Sequence, residues 1–116
     1  MAVVQVAIHT DQFGRLTCDL CDDETAAVVT ASDTKCALEG ISTALDRVRA
    51  NGIAECYWNE SVGQYRWVLR QVDGILRVAV MWSTGAVTGW EHVFWTECDP
   101  DDFDRQIREG LARVTV

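Results

Sequence analysis

Cys18-Asp19-Leu20-Cys21 is the first stretch of the chain whose residues could do chemistry. A Cys-x-x-Cys pair can cycle between dithiol and disulfide, or supply half of a zinc site. It stands alone here, because Cys36, Cys56, Cys98 and the two histidines, His9 and His92, are scattered along the chain. An alternating strand over 15–21 would also point Cys18 and Cys21 to opposite faces. The pair therefore reads as structural thiols. Five cysteines, an odd number, fit reduced and mostly buried small hydrophobes better than a disulfide framework.

Other catalytic patterns fare no better. A nucleophilic Cys–His pair needs a base oriented by a third group, and His92 lies on an apolar run where a satisfied histidine is the simpler reading. Ser32, Ser42, Ser61 and Ser83 stand in no nucleophile-elbow context. The eight glycines form neither a GxGxxG fingerprint nor a P-loop. Carboxylates gather in two clusters: Asp11, Asp19, Asp22, Asp23 and Glu24, then Glu97, Asp99, Asp101, Asp102 and Asp104. Neither has the EF-hand spacing. The second is explained by helix capping, while the first has no such explanation, which makes Asp22 and Asp23 candidates for a charged contact. No catalytic residue, metal ligand or cofactor is assigned, and the chain reads as non-enzymatic.

Recognition chemistry has more to work with. Five Trp is high for 116 residues, and exposed aromatics beside arginine are typical of interface hot spots. Which of them are exposed depends on the strands that carry them. Asp73-Gly74 sits between YRWVLRQV and ILRVAVMW, and Asp-Gly between alternating runs is a strong type I′ hairpin signal. A two-residue loop there pairs Val72 with Ile75, Leu69 with Val78, Trp67 with Val80 and Tyr65 with Trp82. One face is then wholly apolar, and the other carries Arg66, Val68 and Arg70 against Arg77, Ala79 and Met81. A slip of one residue would bury the arginines, so pattern and turn fix the register together. A four-residue loop at Glu60–Gly63 puts Ala54, Cys56 and Trp58 on the apolar face and Glu55 and Tyr57 beside the arginines. In the last strand, Trp90, His92, Phe94 and Thr96 are expected inside, with Glu91, Val93, Trp95 and Glu97 outside. Outward arginines and glutamates could then form a mixed ladder.

The remaining elements frame this meander. Ala2–His9 and Arg15–Cys21 read as a hairpin with Val4, Val6, Ile8, Leu16, Cys18 and Leu20 facing inward. Thr25–Thr30 is either a short strand or an irregular lead-in to a helix. That helix runs from a cap at Ser32 or Asp33 to Ala50, with Leu38, Ile41, Leu45 and Val48 as its apolar stripe and Asn51-Gly52 as its stop. Asp99-Pro100-Asp101-Asp102 opens a final helix whose stripe is Phe103, Ile107, Leu111 and Val114. The expected fold is a single α+β domain over 1–116. It has about six antiparallel strands in the order ββ-α-ββββ-α and two helices on one face of the sheet.

Composition bounds the function. Hydrophobic content of 48% is that of a globular chain. No apolar run reaches the ~20 residues of a membrane span. MAVVQVAIHT lacks the basic start of a signal peptide, which points to a cytoplasmic protein, and with no spanning run no membrane partner is expected. A net charge of −8 disfavours nucleic acid and suits a basic partner. The nine Arg and one Lys fit genome bias as well as bidentate recognition. The expected function is a protein-interaction domain, in size and charge similar in general character to immunity or antitoxin proteins, and a bacterial source is expected from that likeness alone. It would use Tyr57, Arg66, Arg70, Arg77 and Trp95 on the open sheet face, or the acidic turn at Asp22 and Asp23. The alternatives are a homodimer through the open face or an edge strand, and a small-molecule pocket between helices and sheet near His92 and Cys56.

Overall fold

The structure, a computed structural model, describes residues 2–85 and 89–114. Seven strands and two helices follow one another as β1 Gln5–Thr10, β2 Leu16–Cys21, β3 Ala26–Ala31, α1 Thr34–Asn51, β4 Ile53–Glu60, β5 Gly63–Val72, β6 Ile75–Ser83, β7 Glu91–Cys98 and α2 Pro100–Val114. The stretch that was open between strand and lead-in is a strand, β3. It brings the count to seven, in two antiparallel sheets of order β1-β2-β3 and β4-β5-β6-β7 rather than one sheet of about six. The helices also divide: α1 lies mainly on β4 and β5, and α2 on β1. The expectation of two helices sharing one sheet face fails because β3 completes a second sheet that needs its own cover.

Both sheets feed one core. Leu16, Cys18, Leu20 and Val29 come from the smaller sheet, and Trp58, Trp67, Leu69, Val78, Val80 and Phe94 from the larger one. Ile41 and Leu45 of α1 and Phe103 and Ile107 of α2 complete it. Trp58 and Trp67 sit as cross-strand diagonal neighbours with ring centroids 5.1 Å apart. The sheets meet at two seams. At one, the Ser32 N–H donates to the Asn59 carbonyl; at the other, the Ala2 N–H donates to the Glu97 carbonyl, both at 2.9 Å.

Local chemistry accounts for the element ends. Asp33 caps α1 by accepting the Cys36 N–H at 3.0 Å, and Gly52 ends it at φ 82°, its N–H bonded to the Val48 carbonyl. Asp99 accepts the Asp102 N–H at the start of α2. The hairpin of β5 and β6 has the register expected, Val72 opposite Ile75 and Tyr65 opposite Trp82. Asp73 and Gly74 both take positive φ, as a type I′ turn requires. Trp58 faces Tyr65 and Cys56 faces Trp67, so β4 also keeps its expected face.

One side chain from α2 finishes the smaller sheet. The Gln106 amide accepts the Val6 N–H at 2.8 Å and donates to the Val4 carbonyl at 2.8 Å, standing in for a neighbouring strand on the outer edge of β1. Further along the same pair of elements, a Cβ on Gly110 would come 2.9 Å from Ile8 Cβ, so glycine sets how closely α2 approaches.

Candidate functional site

Five of the residues singled out for recognition share one surface. Tyr57, Arg66, Arg70, Arg77 and Trp95 all point away from the core on the outer face of the four-stranded sheet, a face that neither helix covers. Three cross-strand rows build it: Ile53, Arg70, Arg77 and Glu97; Glu55, Val68, Ala79 and Trp95; Tyr57, Arg66, Met81 and His92.

The last row contains a correction. Trp90 and His92 were expected inside, yet both are exposed. Val80 pairs with Phe94 and Met81 with His92, so Val93 is an extra residue and the strand is bulged there. A bulge exchanges the two faces of the residues beyond it. Phe94 and Thr96 stay inside, while His92 moves out beside Met81. Trp90 then folds back over the outer face, 6.2 Å from the Tyr57 ring and 5.8 Å from the Arg66 guanidinium. His92 and the buried Cys56 thus lie on opposite faces of the sheet and cannot line one pocket. Burial pushes the Cys56 thiol up to about 12 and the Cys98 thiol likewise, and raises Cys18 further. These are inert thiols.

The arginines of this face are mostly engaged. Arg66 bonds Glu55 at 2.6 Å and 3.1 Å, which lowers the Glu55 carboxyl below its usual range. Arg77 donates to Glu97 at 2.9 Å. This is the mixed ladder the alternation implies, and it leaves the face with little net charge. Arg70 is the one of the three with no ion pair among the described residues.

The acidic turn does more than the sequence implies. Asp22 closes the turn between β2 and β3 by accepting the N–H groups of Glu24 at 2.9 Å and Thr25 at 2.8 Å. Those bonds, with smaller help from the Thr25 hydroxyl, lower its carboxyl to about 2. Asp11 is used in the same way, by the N–H groups of Phe13 and Arg15 and by the Arg15 guanidinium. The first carboxylate cluster therefore has a structural explanation for part of its charge. Asp23 and Glu24 are exposed and have no side-chain bond among the described residues, so they are the groups left over.

This turn lies against β7. A cleft of about 550 Å³ is lined by Asp22, Asp23, Glu24 and Thr25 on one side, and by His92 to Glu97 on the other. Trp95, 51% exposed, belongs both to the cleft and to the outer sheet face. The two surfaces that the sequence separates are thus one continuous site. No local signal could have joined them, since the turn and β7 are remote in sequence and are brought together by the Ala2–Glu97 seam. Among the described residues, no grouping of three or more His, Cys, Asp or Glu side chains could hold a metal ion, and no helix is long and apolar enough to cross a membrane.

Comparison with protein-family models, with curated proteins and with solved structures gave no match.

Proposed function

We propose that the chain is a non-enzymatic protein-interaction domain that binds a basic partner through the cleft between the β2–β3 turn and β7. One observation supports this above the others: Asp23 and Glu24, whose carboxylates have no side-chain bond among the described residues, line the same open cleft as the exposed Trp95. An acidic wall attracts a lysine or arginine, and the indole face can stack on a guanidinium or hold an aliphatic stem. Trp90 and Tyr57 extend the aromatic surface along the outer face, and Arg70 adds a cation able to take an acidic residue at its far end. Because two of the three outer arginines are bound to glutamates, the acidic wall is the stronger charge determinant. An immunity or antitoxin role, in which an acidic domain neutralises a basic protein, is one form this reading takes.

Capture of partners from the source cell tests it. A basic protein held at low salt should be lost with Asp23→Lys/Glu24→Lys and weakened with Trp95→Ala, while Arg70→Glu has the smaller effect. Asp22 is best left intact, since it holds the turn. An unchanged set of retained proteins across these variants would refute the cleft as the contact surface.

A further inference from the structure

The cleft has a backbone side as well as a side-chain one. The type I′ turn makes Val72 and Ile75 a hydrogen-bonded pair, and pairs alternate along an antiparallel ladder. Arg77 and Ala79 therefore turn their backbone groups toward β5. Their partners on β7, Glu97 and Trp95, must turn theirs away from β6. The Glu97 carbonyl confirms this direction, because it accepts the Ala2 N–H from the far side. The Glu97 N–H and both backbone groups of Trp95 consequently point into the cleft, with no backbone partner there among the described residues. The outer edge of β1, by contrast, has Gln106 to occupy it.

We propose that an extended, basic segment of a protein partner adds to the four-stranded sheet as a fifth strand along the stretch of the β7 edge that Ala2 leaves free. Its backbone bonds both groups of Trp95 and the Glu97 N–H, stopping where Ala2 already holds the Glu97 carbonyl, and its lysine or arginine side chains reach Asp23 and Glu24. The inference rests on the basic-partner reading and adds the mode of binding. Strand addition places alternate side chains on opposite faces of the new strand. One set then lies over Trp95 on the outer face, while the acidic turn lies across the cleft within reach of long cationic side chains. A second copy of this chain is a poor occupant, because pairing β7 with β7 would bring two acidic turns into one interface. The edge of β4 is also outermost in its sheet, but the cleft beside it is lined by Arg47, and its one carboxylate, Glu55, is paired with Arg66.

The test uses the full chain and three capped synthetic peptides. One alternates lysine and valine, the second is the same peptide N-methylated on alternate backbone nitrogens, and the third alternates glutamate and valine. Binding is followed by NMR with amide hydrogen exchange. The lysine–valine peptide should bind saturably and slow exchange at the Trp95 and Glu97 amides. N-methylation in the register that faces β7 should abolish both effects, and Asp23→Lys/Glu24→Lys should weaken binding by about tenfold. Equal binding of the methylated peptide with unprotected amides would overturn strand addition while leaving the basic-partner reading intact. Absence of saturable binding by the lysine–valine peptide overturns it too, with the reading still judged by the charge-reversal capture. Equal binding of the glutamate–valine peptide would overturn both.

Discussion

The carboxylate of Asp22 takes two backbone N–H groups of its own turn, and that use sets its response to pH. Its folded-state pKa is depressed from 3.8 to about 2, so it favours the folded state fully above the unfolded value and loses that contribution as pH falls through the interval. Asp22→Asn should flatten the acid side of the stability curve between those two values, with little change in slope near neutrality. Urea midpoints measured across the acid range check this, and an unaltered acid limb would count against it. Gly110 is constrained by contact rather than charge. Gly110→Val puts new atoms onto Ile8 and should cost about 1–3 kcal/mol. Ile8→Ala, itself costly, should recover part of that loss when combined with it, and a double-mutant cycle of unfolding free energies reads the coupling.

At the scale of elements, hairpins and helices were legible because their signals are local. Asp73-Gly74 fixed a nine-pair ladder, and Asp33, Gly52 and Asp99 marked helix ends where the structure has them. The β4 face followed once its turn was placed. What failed did so for two physical reasons. The bulge at Val93 leaves no composition signal, since EHVFW alternates as well without it, so Trp90 and His92 were assigned to the wrong face. The 26–31 segment, AAVVTA, is too short and too uniformly apolar for period to separate strand from helix entry, and without it the division into two sheets was hidden. Gln106 was equally silent, because nothing in a helix sequence says that one amide will serve as a strand. Gln106→Leu leaves the Val6 N–H and the Val4 carbonyl without their partner and should cost about 1–3 kcal/mol. Denaturant unfolding measures the loss, and faster amide exchange at Val6 locates it.

For the whole molecule, the arrangement of two sheets around one core decides where binding could occur. The inner faces are consumed by the core, and Arg49 and Arg108 tie the helices to each other through Asp101, Asp104 and Asp46. Such exposed pairs contribute little each, and they offset part of the charge of those carboxylates. The outer faces of both sheets remain open, and of these only the larger one continues into the cleft at the β7 edge with its Trp95 and acidic turn. The candidate site was therefore half legible: its side chains could be listed from alternation and charge, while their meeting in one cleft depended on a seam between distant segments.

The distribution of tryptophans makes the molecule its own optical gauge. Trp58 and Trp67 are closed off from solvent, Trp82 is partly covered, and Trp90 and Trp95 are 38% and 51% exposed. A collisional quencher in the solvent should reach the last two first. In a Trp90→Phe variant the readily quenched emission belongs mainly to Trp95, which lines the cleft. Filling the cleft should then shield that fraction and shift its emission to shorter wavelength, with no label attached. A partner that binds without changing the quenchable fraction is binding somewhere else.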